Sequence, residues 1–287
     1  DSEPLWRRSI VEATFAADVD LDALSKTIAD IMDLEEVPQL SPRQVEDRDW
    51  MTHVQQSWHP LRLASGFEVL LPWHDGPAGG SLGSDGRVVL RMEGGTAFGL
   101  GDHPTTQGAA RFLEETLCRT ADKDEALKQC RVLDYGTGSG VLALCAAMLG
   151  ASVAIGVDVD PASVVSAQKN ADLNELPRGS GGLVPKVEFL EGPADAAVAA
   201  AFASELAEAS GPFDVVVANI LRKPLVDLAP ALAAASRPGA LLALTGLRTD
   251  LGDAGAVREA YSSAFCDFKD VTLDAGWLLV AARRRLD

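Results

Sequence analysis

The chain has 287 residues, a formal net charge of −17 and 47% hydrophobic residues, enough for one α/β domain with a smaller appendage. That acidity excludes a surface tracking phosphates, which needs a basic stripe, and fits a basic protein partner instead. Cys118, Cys130, Cys145 and Cys266 form no Cys-x-x-Cys pair, which excludes a zinc ribbon or disulfide framework and suits a reducing compartment, and no apolar run approaches the roughly 18 residues of a membrane span.

In chain order, Ser9 to Ala16 is expected as a strand and Asp20 to Met32 as an amphipathic helix with Leu21, Leu24, Ile28 and Ile31 on one face. Gln39 to Val45 follows as another strand. This β-α-β piece, residues 1–48, is too short to hold a core of its own. The start at Asp1 rather than Met suggests a processed product or a fragment. Residues 49–86 read as a linker and a β-hairpin arm. Gly66 to Trp73 alternates as a strand, Gly76 to Gly86 is a loop with an exposed, mobile tip, and Val88 to Met92 is the hairpin partner. His53, His59 and His74 lack metal-ligand spacing and read as surface or packing residues.

Residues 87–287 form the main domain. A helix is expected from about Gly108 to Leu117, with Asp102 or His103 near its cap and Pro104 in its first turn. Thr105 and Thr106 set hydroxyls beside that N-terminus, so a plain helix start and a carboxylate-binding site are both open. Arg131 to Gly140 then reads as strand and glycine turn, followed by a buried helix from Val141 to Met148. Glycines at 136, 138 and 140 let a ligand approach the backbone, and the free N–H groups of the helix that follows are expected to face it, which implies a nucleotide-like cofactor. A dinucleotide fingerprint would need glycine where Val141 stands, and no phosphate-loop Gly-Lys-Ser/Thr follows.

Ala151 to Val157 is the second strand, ending at Asp158, about 20 residues past the glycines, where doubly wound folds place the acid that holds a ribose. Asp160 caps the helix starting near Pro161. Val187 to Leu190 is a third strand, and Gly192 to Asp195 turns into an alanine-rich helix. Phe213 to Asn219 is a fourth strand whose continuous apolar run suits a doubly covered sheet, with Asn219 at the ligand-binding end. A helix over Leu225 to Ala235, a Pro238-Gly239 turn, a strand over Ala240 to Thr245 and a helix from about Leu251 to Ser262 come next. The closing pair is Phe268 to Leu273 and Trp277 to Ala282, giving a mostly parallel sheet with an antiparallel edge.

The run Asp134-x-Gly136-x-Gly138-x-Gly140 resembles the first motif of S-adenosylmethionine-dependent methyltransferases, whose acid sits close to the cofactor's aminoacyl end. With Ala97 to Thr106, Gly156 to Pro161 and Val217 to Leu221, in order, the chain resembles the PrmA-type ribosomal protein methyltransferases from about Asp49 onward. The resemblance implies a Rossmann-like class I methyltransferase sheet and a partial ferredoxin-like N-terminal domain, of which Ser9 to about Val45 is the second half. It also implies that S-adenosylmethionine is the cofactor. Family contacts to it fall on Thr106, Gly136, Asp158 and Asn219, joined by Phe98 and Thr105. Asp134, Gly138 and Gly140 belong to the same motif.

The implied reaction is N-methylation of lysine or N-terminal amines of a basic large-subunit ribosomal protein, with the large subunit as a further partner. Asn219 helps to position the amine. The wording with Thr137 is closer to plastid members, which suggests a chloroplast location. Gly94-Gly95 stands where the family reads Pro-Gly. Three rivals are a methyltransferase for another protein lysine, one for an RNA base, and a non-catalytic cofactor-binding scaffold. Base methyltransferases follow the fourth strand with a stacking aromatic, whereas Ile220, Leu221 and Arg222 stand here. Asp158→Ala is expected to weaken cofactor binding while leaving the unliganded fold unmoved.

Overall fold

The computed structural model describes residues 11–16, 18–34, 36–43, 58–93, 100–121, 129–174 and 186–286. The chain divides into two units, Asp1–Ser57 and Trp58–Asp287.

In the first unit, helix α1 spans Leu21–Ile31, with Asp20 capping it by accepting the N–H groups of Asp22 and Ala23 at 3.0 Å. Leu21, Leu24 and Ile28 are half-buried around Ser25 and Ala29, but Ile31 is exposed. The expected flanking strands are absent from the described residues 11–16 and 36–43. A strand needs a neighbour to take its N–H and C=O groups, and no such ladder is described there. The remainder of those two expectations, Ser9, Ile10, Gln44 and Val45, lies outside the described residues.

In the second unit, β1 (Leu61–Leu63), β2 (Phe67–Leu70) and β3 (Val88–Arg91) form a small sheet in that order. The expected hairpin between β2 and β3 is overturned: β1 and β2 pair antiparallel, and β2 pairs β3 in parallel, Phe67 opposite Val88. The connection is long enough for the crossover a parallel pair requires, and the Arg91 guanidinium turns it by donating to the carbonyls of His74, Gly76 and Pro77. The first part of the loop folds back on β3 through Gly80 N–H to Val89 O at 2.8 Å, with Gly79 buried, while its tip is exposed at Ser81, Leu82 and Ser84 to Gly86 as expected. His74 is a packing residue that accepts the Leu71 N–H at Nδ1.

The main sheet has seven strands in the order β6-β5-β4-β7-β8-β10-β9. Its members are β4 (Arg131–Tyr135), β5 (Val153–Asp158), β6 (Lys186–Glu191), β7 (Phe213–Asn219), β8 (Ser236–Arg248), β9 (Phe265–Thr272) and β10 (Trp277–Arg284). Only β10 is reversed, and it lies inside the sheet with β9 at the edge. Strand β8 starts before the expected Pro238-Gly239 turn. The helices are α2 (Pro104–Ala121), α3 (Val141–Met148), α4 (Pro161–Asp172), α5 (Ala196–Ser210), α6 (Arg222–Asp227), α7 (Ala229–Ala235) and α8 (Asp253–Tyr261). The single helix expected over Leu225 to Ala235 is broken at Leu228, because Pro230 in the first turn of α7 cannot continue the preceding helix.

Each face of the sheet carries its own core. Val132, Val215 and Val217 pack with α2, α3 and the small sheet, while Leu133, Val216 and Ala218 pack with α5, α7 and α8. This double burial is why Phe213 to Ala218 is apolar without alternation.

Candidate functional site

The carboxyl ends of β4, β5 and β7 meet the amino end of α2 at a cleft of about 560 Å³, bordered by Thr106, Gly136, Gly138, Asp158, Asn219 and Ile220.

Strand β4 delivers the glycine turn. Gly136, Gly138 and Gly140 take φ of 81°, 53° and 83°, a region that costs other residues roughly 1–2 kcal/mol. A Cβ on Gly136 would lie 2.3 Å from Ile220 Cγ2, at the cleft. One on Gly140 would lie 2.9 Å from both Ala167 Cβ and Phe189 Cζ, so this glycine serves core packing and does not border the cleft.

The N–H groups of the turn itself are engaged within the fold. Gly136 and Thr137 donate to the Val157 carbonyl at 2.7 and 3.0 Å, Gly138 to Asp158 Oδ2 at 2.8 Å, and Gly140 to the Thr137 carbonyl at 2.9 Å. Parallel pairing of β4 with β5 sets Tyr135 opposite Val157, so the end of β5 satisfies the turn. The result is a surface without Cβ bulk, beside which Val141 and Leu142 at the start of α3 also border the cleft.

Asp158 is half-buried. Its Oδ1 accepts the Asp160 N–H at 3.0 Å and its Oδ2 the Gly138 N–H. Each oxygen has a further lone pair for a hydroxyl. Asp160 caps α4 as expected, accepting the Ala162 N–H at 3.0 Å.

Asp134 is fully buried and does not border the cleft. Its Oδ2 accepts the Thr137 hydroxyl at 2.7 Å, and its Oδ1 has no partner among the described residues. Burial lifts its carboxyl to about 7, against the pull of the Thr137 hydroxyl and the Ala143 N–H.

Buried Thr106 and half-buried Asn219 face each other, with Asn219 Nδ2 donating to Thr106 Oγ1 at 3.2 Å. Thr105 turns away: its hydroxyl lies 2.6 Å from His103 Nδ1, which also accepts the Thr105 N–H at 3.3 Å and so helps to cap α2. Phe98 lies outside the described residues.

A second cleft of about 790 Å³ shares Gly136, Asp158 and Ile220 and extends to Tyr135, Val159, Pro193 and Ala194. The Tyr135 hydroxyl there is buried and has no partner among the described residues. Tyr135 has no role of its own in the sequence pattern beyond the strand and turn of Arg131 to Gly140. A large aromatic one residue before Gly136 is the available signal.

A mostly parallel seven-stranded sheet with one reversed strand inside it, a glycine turn after β4 and an acid at the end of β5 have the architecture of a class I S-adenosylmethionine-dependent methyltransferase. No helix among the described residues is long and apolar enough to cross a membrane. The chain belongs to the ribosomal protein L11 methyltransferase (PrmA) family, whose model matches residues 1–285. It is 35% identical to the ribosomal protein L11 methyltransferase of Pseudomonas paraeruginosa over 284 residues, 99% of this chain and 84% of that one. It is likewise 35% identical to that of Dechloromonas aromatica over 244 residues, 85% of this chain and 70% of the relative. Among solved structures, the ribosomal protein L11 methylase of Lactobacillus delbrueckii subsp. bulgaricus is similar with a TM-score of 0.57 and 26% identity, covering 79% of this chain and 100% of that one.

Proposed function

We propose that this chain methylates amines of a large-subunit ribosomal protein, on lysine side chains and/or the N-terminus, with S-adenosylmethionine as methyl donor. The observation that carries the cofactor assignment is the internally satisfied glycine turn beside Asp158. It offers room and hydroxyl acceptors, with its own N–H groups already engaged, which suits a nucleoside joined to an amino acid.

In this reading Asp158 accepts the ribose hydroxyls, and Gly136 and Gly138 leave space for the chain between ribose and amino acid. The unpartnered Asp134 Oδ1 gives the aminoacyl end a buried negative pole behind the turn. Thr106 and Phe98 complete the binding set, with Thr105 and Gly140 supporting it through α2 and the core. The apolar second cleft and its unpartnered Tyr135 hydroxyl suit a flat heterocycle. When bound, the cofactor supplies a sulfonium methyl open to nucleophilic attack.

With Asn219 Nδ2 committed to Thr106, its carbonyl oxygen is left to accept an N–H and so to orient the incoming amine. A lysine with an ordinary pKa of about 10.4 must enter neutral. Desolvation in the cleft favours that form, and alignment supplies much of the rate. The substrate assignment draws support from the family and from the net charge of −17, which attracts a basic protein. Residues 1–48 would recognise that substrate, residues 49–86 link, and residues 87–287 carry the chemistry. The assembled large subunit is a candidate partner, with no nucleic-acid site. The plastid expectation rests only on the Thr137 wording, and the relatives named above are bacterial, so the compartment stays outside this proposal.

The test is transfer from labelled S-adenosylmethionine to the purified ribosomal protein, to ribosomal RNA and to no acceptor, in parallel, with mass spectrometry of the products. Label on lysine or N-terminal amines is expected. Label on RNA alone would overturn the substrate and spare the cofactor.

A further inference from the structure

Asn170 on α4 and Asn174 just beyond its end are buried asparagines that no step above uses. Four helical residues rise about 6 Å and two strand residues span about 6.6 Å, so amides at this spacing can serve alternate residues of a strand. They do so along β3. Arg91 N–H donates to Asn174 Oδ1 at 2.8 Å, Asn174 Nδ2 donates to the Arg91 carbonyl at 2.7 Å, and Glu93 N–H donates to Asn170 Oδ1 at 2.7 Å.

Asn170 reaches one step further. Its Nδ2 donates to the Ser139 carbonyl, inside the glycine turn, at 2.8 Å. Its side chain is wholly buried, with both ends of the amide bonded. One amide therefore joins the turn that borders the cleft to Glu93, two residues past the end of β3.

We propose that Asn170 is a positioning residue for methyl transfer. It holds the Ser139 carbonyl and the Glu93 amide in one hydrogen-bonded unit, and so fixes the glycine turn against the segment that follows β3. It acts through Gly138 and touches neither cofactor nor substrate. The inference rests on the methyltransferase reading of the cleft.

Two full-length variants separate positioning from bulk stability. Asn170→Asp keeps an acceptor for Glu93 and removes the donor to Ser139. Asn174→Asp removes the donors to the Arg91 and Asn170 carbonyls and leaves Ser139 alone. Melting temperature and calorimetric affinity for S-adenosylhomocysteine are measured on each. Both should melt lower, but only Asn170→Asp should lose affinity, by about fivefold or more, the worth of one buried hydrogen bond. Unchanged affinity in Asn170→Asp, or equal loss in both variants, overturns the inference.

Residue-resolved amide exchange on the wild-type chain needs no variant to fold. S-adenosylhomocysteine should slow exchange at Glu93 about threefold or more and spare Arg91. A Glu93 amide indifferent to the ligand overturns the inference. A wild-type chain that binds no S-adenosylhomocysteine overturns the methyltransferase reading beneath it, a failure distinct from the others.

Discussion

Asp158 is a brace as well as a candidate ligand, because Gly138 and Asp160 both donate to it. Those two bonds correct the expectation of an unmoved fold: Asp158→Ala should weaken S-adenosylmethionine binding at least about tenfold and also destabilise the unliganded protein by roughly 1–3 kcal/mol. Asp158→Asn, which keeps one acceptor, should lose affinity with a smaller drop in melting temperature. Calorimetry and thermal denaturation check both, and an Ala variant that melts like the wild type would refute the brace. Asp134 carries a pH signature. Its carboxyl is raised from 3.8 to about 7 by burial, so its contribution to stability is full below about pH 4 and lost as pH rises through about 7. Wild-type melting should fall across that window more steeply than that of Asp134→Asn. Ligand affinity should rise from about pH 6 to pH 8 in the wild type, where a cationic aminoacyl group draws the carboxyl into its charged form, and stay flatter in the variant. Asp158 and Asn219 were legible in the sequence because a polar residue ends an apolar strand at each. The burial of Asp134 and the partnerless Tyr135 hydroxyl were not, because a strand covered on both faces gives no alternation from which to read its sides.

The glycine turn shows one element serving two surfaces. Gly136→Ala sets a Cβ 2.3 Å from Ile220 Cγ2, so it should cost cofactor affinity more than about tenfold as Ile220 is pushed into the cleft. Gly140→Ala meets Ala167 and Phe189 instead and should lower stability by about 2 kcal/mol or more while the folded fraction binds nearly normally. Parallel measurement of melting temperature and binding stoichiometry separates the two, and equal affinity loss would erase the distinction. Elements set by local chemistry were legible. The apolar run Phe213 to Ala218 gave β7, and Asp160 with Pro161 marked the start of α4. Pairing sense was not. Whether β3 joins β2 parallel or antiparallel is decided by the path between them, held by the Arg91 guanidinium. The Asn170 and Asn174 bonds to β3 join residues far apart in sequence, and nothing in a helical pattern marks them.

At the scale of the molecule, the net charge of −17 has no counterpart in the cleft, where Asp158 is engaged by neutral N–H groups at hydrogen-bond distance. The two binding steps should therefore answer differently to salt. Attraction between an acidic enzyme and a basic protein acts over a screening length that shortens from about 10 Å at 0.1 M salt to about 3 Å at 1 M, and it mainly accelerates encounter. Contacts to a neutral ribose within the cleft are short-ranged and escape most of that screening. Raising salt from about 50 to 500 mM should lower kcat/KM for the ribosomal protein by about tenfold or more, leave kcat within about twofold, and leave cofactor affinity nearly unchanged. Steady-state kinetics with each substrate varied in turn checks this, with calorimetry for the cofactor at both salts. A kcat/KM indifferent to salt would move recognition of the protein substrate from charge to shape and apolar contact. An equal loss for both substrates would instead remove the contrast, because the basic protein approaches through the long-range field with many charges and the cofactor with a single net one.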